Sequence, residues 1–238
     1  MQTSGSADRR AQLAGNLQRV HDRISTACAD VGRDPGEITL VVVTKTFPAS
    51  DVALLAELGV TDVGENRDQE AAAKALACAD LRLRWHFVGQ LQTNKARSVV
   101  VYADLVHSVD RERLVSALDR ATARSGRTTR LGVLVQVNLD GVPGRGGAEP
   151  GEVGALADQI AASDQLDLGG VMAVAPLGSE PARAFAELAR TADRVRHDHP
   201  GAIAISAGMS ADLEAAVAAG ATHLRVGSGV LGRRPSSG

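Results

Sequence analysis

Residues 39–65 read TLVVVTKTFPASDVALLAELGVTDVGE. A short β-branched run at 39–43 is followed by an amphipathic stretch at 50–57, and then by a second short run at 62–63. The first run is apolar throughout, as expected when both faces of a parallel sheet are buried. The amphipathic stretch supplies the crossover helix that a parallel pair requires. This unit recurs. Further strands are predicted at 84–88, 105–107, 131–138, 168–173, 202–205 and 223–226, with helices near 67–76, 94–102, 111–124, 152–162, 180–196 and 211–219. Eight such strands in 238 residues favour a (β/α)8 TIM barrel over a doubly wound open sheet. A long helix at about 8–30 precedes it, with Leu13, Leu17, Val20, Ile24 and Ala27 at helical spacing. No linker divides the chain, so residues 1–238 are read as one α/β domain with disordered ends at 1–7 and 234–238.

Composition narrows the function classes. Lys and Arg total 26 against 28 Asp and Glu, a net charge of −2, which argues against a general nucleic-acid or anionic-membrane binder. One Trp, one Tyr and three Phe leave no stacking platform for single strands. Cys28 and Cys78 lie far apart in Ala-rich surroundings, unlike a disulfide framework or a zinc site. The N-terminus lacks the apolar core of a signal peptide, and the longest apolar run, 40–43, is far too short to cross a membrane. A cytoplasmic protein is expected, and the chain is taken as a monomer.

Barrel chemistry sits at the C-terminal ends of the strands. An amine there has three candidates, because the chain holds only Lys45, Lys74 and Lys95. Lys74 follows Glu70 by one helical turn and reads as half of a surface ion pair. Lys95 opens a helix, where a cation gains nothing from the dipole. Lys45 ends an apolar strand at the barrel mouth, where lost hydration lowers an amine's pKa and makes it a nucleophile toward an aldehyde. A lysine snorkelling from a strand end is the plain alternative.

The ends of strands seven and eight bear on that choice. Ser206-Ala207-Gly208-Met209-Ser210 offers a hydroxyl, a glycine for close backbone approach, and Ser210 as cap of the next helix. Gly227-Ser228-Gly229 offers similar chemistry in the loop after strand eight. Barrels often hold phosphate in these two loops. A phosphate site facing a lysine describes a ligand that is both phosphate and aldehyde, pyridoxal phosphate. Arg225, two residues before Gly227, shares its face of the sheet and would lie against the ring nitrogen. A permanent donor there keeps that nitrogen unprotonated and makes the ring a poorer electron sink. An arginine paired with a rim carboxylate is the alternative. Asn66, Asn138 and Met172 also end strands at the mouth.

These residues carry a resemblance. The stretch Trp85-His86-Phe87-Val88-Gly89-Gln90-Leu91-Gln92-Thr93-Asn94-Lys95 resembles the signature of the pyridoxal phosphate homeostasis protein family. Gly64-Glu65-Asn66, Gly170-Val171-Met172-Ala173, Ser206-Ala207-Gly208-Met209-Ser210 and Arg225-Val226-Gly227-Ser228 are similar to further family motifs, in the same order. The resemblance implies a fold like the N-terminal barrel of alanine racemases and a role in cofactor homeostasis without established turnover. It implies a Schiff base on Lys45, phosphate held by Ser206, Gly208, Gly227 and Ser228, and Arg225 facing the ring nitrogen, with Asn66 and Met172 beside the cofactor. Apoenzymes that need pyridoxal phosphate are the implied partners. Pro143-Gly144-Arg145-Gly146-Gly147 departs from the lysine-containing loop of many members, and Ser228 stands where Thr is common.

Racemisation is the competing reading. It needs a second base opposite Lys45, which in the racemases is a tyrosine from a second domain of the partner subunit. Here the only tyrosine is Tyr102, before strand four, and no second domain is expected after strand eight. His86 is a substitute base, though a histidine inside a Trp-His-Phe strand reads more naturally as a hydrogen-bonded wall residue. A phosphosugar or nucleotide-phosphate enzyme would use the same two loops but gives Lys45 no covalent task. His197 and His199 meet a helix C-terminus and lack the carboxylate and histidine companions of a metal site.

Overall fold

The apolar runs pair in parallel with their sequence neighbours. In the computed structural model, which describes residues 3–141 and 146–232, the strands are β1 Thr39–Val43, β2 Asp62–Glu65, β3 Arg84–Phe87, β4 Leu105–Val109, β5 Leu131–Gln136, β6 Leu166–Met172, β7 Ala204–Ser206 and β8 His223–Val226. They close in chain order, with β1 pairing both β2 and β8. The fold is therefore the expected (β/α)8 barrel. Buried valines on β1, β4 and β5 face the surrounding helices or the interior, which is why these strands show apolar runs rather than alternation.

The crossover helices are α2 Ala49–Glu57, α3 Asp68–Ala77, α4 Ala96–Tyr102, α5 Glu112–Arg124, α6 Val153–Ala161, α7 Pro181–Asp198 and α8 Leu213–Ala218, with a short α9 Ser228–Leu231 after β8. The leading helix, α1 Thr3–Asp30, starts earlier than its periodicity predicts. Of the ends expected to be disordered, residues 3–7 are thus helical, while 1–2 and 234–238 lie outside the described residues. Arg145, in the loop that departs from the family pattern, lies outside them too. Among the described residues no helix is long and apolar enough to cross a membrane.

Helix α1 buries Leu13, Leu17, Val20, Ile24, Ala27 and Cys28 along one stripe. Its polar groups clamp the barrel's closing seam. Asn16 donates to the carbonyl of Val230 at 2.7 Å, Arg23 donates to the carbonyl of Ser210 at 3.0 Å, and Arg9 pairs with Asp51 at 2.7 Å. The helix thereby fixes the loops after β7 and β8, which carry candidate phosphate-binding residues.

Candidate functional site

Lys45 follows β1 on a turn held from several sides. Thr44 Oγ1 donates to Glu65 Oε1 at 2.6 Å, and the Thr44 carbonyl accepts from the Lys74 ammonium at 2.8 Å. Thr46 takes a positive φ of 70° and its amide donates to Glu70 Oε2 at 3.3 Å. A β-branched residue is strained there, a cost that recurs at functional turns. Phe47 buries its ring after the turn, under the Arg9 guanidinium.

Lys74 is a correction. Expected as a solvated partner of Glu70, it is buried and lies 2.6 Å from Glu65 Oε1. A pair spaced nine residues apart across a loop and a helix leaves no i,i+4 signature. Glu70 instead reaches Arg67 and the Thr46 amide. Lys95 ends a short 3₁₀ turn, half-buried, 3.7 Å from Asp68.

Facing Lys45 are the loops after β7 and β8. Gly229 N–H donates to Ser210 Oγ at 3.1 Å and the Ser228 hydroxyl donates to the same oxygen at 3.3 Å. Ser210 therefore ties the two loops together and does not cap the next helix, whose N-cap is Asp212. Gly227 passes close to β1, and a Cβ there would stand 3.2 Å from the Val43 carbonyl oxygen. Gly89 is tighter still, because a Cβ would lie 2.2 Å from the Asn66 carbonyl oxygen.

Arg225 is buried at the end of β8. It donates to Ser206 Oγ at 2.5 Å and to the Ala173 carbonyl at 2.8 Å, both neutral acceptors. Burial lowers its pKa to about 10, so it stays a cation at neutral pH, with Asp212 partly offsetting the shift. The alternative of a rim arginine held by a carboxylate does not describe it.

One cavity of about 440 Å³ gathers these groups at the mouth, lined by Lys45, Asn66, Arg225, Gly227 and Ser228 together with Val43, Phe47, Met209 and Ser210. Its size suits a small molecule, roughly 300–1,000 Å³. Four sequence candidates fall outside it. Met172 is buried with Leu134 and Ala204. Ser206 is fully buried, bonded to Arg225 and to His107. Gly208 takes a φ of 86° and is packed so closely that a Cβ would lie 2.5 Å from Ala216 Cβ, while its carbonyl receives the Arg225 amide. Asn138 is occupied by Glu149 at 2.9 Å. A larger groove of about 800 Å³ on the outer face between α4 and α5 carries Arg97, Arg113, Arg120 and Arg124 but no lysine.

Sequence reasoning passed over Asp62 and His107. His86, read as a wall residue, hydrogen-bonds both of them. The available signal was a histidine inside an otherwise apolar strand on two successive strands, within Trp85-His86-Phe87 and after Leu105-Val106. Tyr102 lies away from the cavity, with its hydroxyl 3.4 Å from Asp68, and burial together with Asp68 raises its pKa beyond the usual tyrosine range. Among the described residues no group of three His, Cys, Asp or Glu could hold a metal ion.

Comparison with known proteins places this geometry. Residues 15–235 match the family described as alanine racemase, N-terminal domain. A pyridoxal phosphate homeostasis protein of Mycobacterium tuberculosis is 45% identical over 248 residues, covering 97% of this chain and 96% of the relative. Its Escherichia coli counterpart is 37% identical over 231 residues, covering 94% and 98%. The solved structure of PipY from Synechococcus elongatus with PLP bound is 35% identical, has a TM-score of 0.77, and covers 88% of this chain and 100% of PipY.

Proposed function

Because the chain belongs to the alanine racemase N-terminal domain family, and within it to the pyridoxal phosphate homeostasis proteins, we propose that the cavity at the barrel mouth is its cofactor site. The protein binds pyridoxal 5′-phosphate and serves its homeostasis. The observation that carries the site is the meeting of Lys45, Arg225 and Ser228 in one cavity.

The residues present fit the group. A phosphate dianion needs donors, which Ser228, Ser210 and the glycine-rich backbone at 227–229 can provide. Arg225 is a buried cation resting on neutral acceptors, suited to meet an electron-rich ring atom. When bound, pyridoxal phosphate supplies an aldehyde that reacts reversibly with a primary amine. Lys45 is the lysine in this cavity, and the braced Thr44–Thr46 turn presents it there. Asn66 and Val88 form the adjoining wall. Ser206 and Gly208 support the site from behind. Ser206 holds Arg225, and Gly208 lets the loop after β7 pass close to α8.

The role is storage and delivery. A monomer with the cavity open at the barrel mouth, working in the cytoplasm, would release its cofactor to apoenzymes that require it. No tyrosine faces Lys45 to act as the second base of a racemase, since Tyr102 is turned toward Asp68.

Borohydride reduction of the loaded protein followed by peptide mapping tests this. The expected adduct is on Lys45, and Lys45→Ala protein should lose both adduct and visible absorbance. An adduct on Lys74 or Lys95 would overturn the assignment. Rapid stereoinversion of L-amino acids by loaded protein would restore the racemase.

A further inference from the structure

Five polar side chains form one hydrogen-bonded row through the inside of the barrel. Asp62 Oδ1 lies 2.8 Å from His86 Nε2, and His86 Nδ1 lies 2.9 Å from His107 Nε2. His107 Nδ1 lies 2.9 Å from Ser206 Oγ, which receives Arg225 at 2.5 Å. Strands β4 and β7 are not neighbours in the sheet, so the His107–Ser206 bond must cross the interior. Barrel interiors are ordinarily filled by Val, Ile and Leu. A polar row in that space is costly unless every member is satisfied.

Proton counting gives the row a direction. Burial raises the Asp62 carboxyl, but hydrogen bonds from His86, Thr61 and Arg84 outweigh it and hold the group ionised. A carboxylate only accepts, so His86 Nε2 carries the hydrogen. In this direction the Nδ1 of His86 is left bare and accepts from His107 Nε2–H. The bare Nδ1 of His107 takes the single proton of Ser206. Ser206 is left with lone pairs, the one thing that Arg225, purely a donor, can use. The reverse direction would make His86 a cation and send two donors to the Ser206 oxygen. Burial above all holds His107 neutral.

Resting on the cofactor site proposed above, we infer that His86 and His107 are positioning residues: anchored on Asp62, they commit the Ser206 proton away from the cavity and so hold Arg225 as a fixed donor at its wall. The Arg225 hydrogens not spent on Ser206 and Ala173 remain for the ligand. A pyridine nitrogen meeting that donor stays unprotonated. The role thus extends from the cavity to Asp62 and its partner Arg84, whose side chain is 59% exposed at the start of β3.

Nitrogen-15 NMR of histidine-labelled protein reads the ring tautomers directly. At pH 7.5 both His86 and His107 should carry Nε2–H and a bare Nδ1. A protonated Nδ1 on His107, or a cationic His86, overturns the inference. It does so in cofactor-free protein, where the cofactor assignment is not at stake. A second arm follows pyridoxal phosphate labelled at its ring nitrogen on wild-type and His107→Phe protein. His107→Phe should weaken retention about tenfold, the scale of one lost hydrogen bond, and move the ring resonance toward its protonated position. An unchanged resonance in folded His107→Phe protein also overturns the inference. If wild-type protein takes up no labelled cofactor, the cofactor assignment fails and the tautomers alone decide the relay. If His107→Phe does not fold, the tautomers again decide it.

Discussion

The Lys74 ammonium donates to the carbonyl oxygen of Thr44 at 2.8 Å, so a side chain from α3 holds the backbone one residue before Lys45. The same ammonium neutralises Glu65, whose Oε2 is buried without a hydrogen-bond partner among the described residues. Removing one partner of such a pair leaves an uncompensated charge in the interior, at a cost of roughly 3–5 kcal/mol. Lys74→Met should therefore lose stability on that scale in urea unfolding and also loosen the Lys45 turn. Pairing it with Glu65→Leu should recover much of the loss, because a volume-matched apolar pair carries no desolvation cost. A loss below about 1 kcal/mol for Lys74→Met would mean that water reaches Glu65.

Gly89 meets Asn66 so closely that no side chain fits. A Cβ would stand 2.2 Å from the Asn66 carbonyl oxygen and 2.7 Å from its Cα, both backbone atoms that cannot swing aside. Gly89→Ala must push the β2 and β3 loops apart at the cavity wall. The expected result is a loss of about 1–3 kcal/mol, the range for overpacking, with cofactor retention falling more steeply than the folded fraction. Wild-type retention in Gly89→Ala protein, measured by gel filtration of the loaded form, would remove Gly89 from the site.

Much of this was legible in the residues, for identifiable reasons. The eight strands could be read because short apolar runs separated by amphipathic stretches have few other uses, and β8 falls at the predicted residues His223–Val226. That Lys45, Arg225, Gly227 and Ser228 meet in one cavity could be read because strand ends gather at one rim of a barrel. What stayed hidden depends on distances across the barrel. Ser206 looked like a phosphate ligand because a hydroxyl at the end of β7 faces either the cavity or the interior, and here it bonds His107, 99 residues away. Lys74 looked exposed because its true partner lies on β2. Local spacing reports neither.

Thr46 holds its positive φ of 70° with an exposed, β-branched side chain, so its conformation is imposed by the turn. Left-handed backbone costs such a residue roughly 1–2 kcal/mol, which glycine does not incur. Glycine adds freedom to the unfolded chain and gives back up to about 1 kcal/mol. Thr46→Gly should therefore be neutral or slightly stabilising in thermal unfolding. Thr46→Pro, whose φ is fixed near −65°, should abolish cofactor retention. If Thr46→Gly instead destabilised the protein strongly, the threonine side chain would be making a contact worth more than the strain.

The histidines inside the barrel set a direction for the pH dependence of stability. His223 has a pKa lowered from 6.5 to about 4, first by burial, then by His86, Arg84 and Arg225 against the opposing effect of Asp62. His107 is lowered well below its ordinary value, again mainly by burial. Unfolding releases both to the ordinary range, so below about pH 6.5 the unfolded chain binds more protons than the native one. Stability is then complete above neutrality and falls as pH drops from about 6.5 toward 4, with His223 alone contributing on the order of 3 kcal/mol. Asp62, whose pKa is lowered, stays ionised through this window and its own loss comes only at lower pH. Urea midpoints at pH 8, 6 and 4.5 should decline in that order, and His223→Asn should flatten the decline. Equal midpoints at pH 8 and 4.5 would show that the buried rings charge without cost.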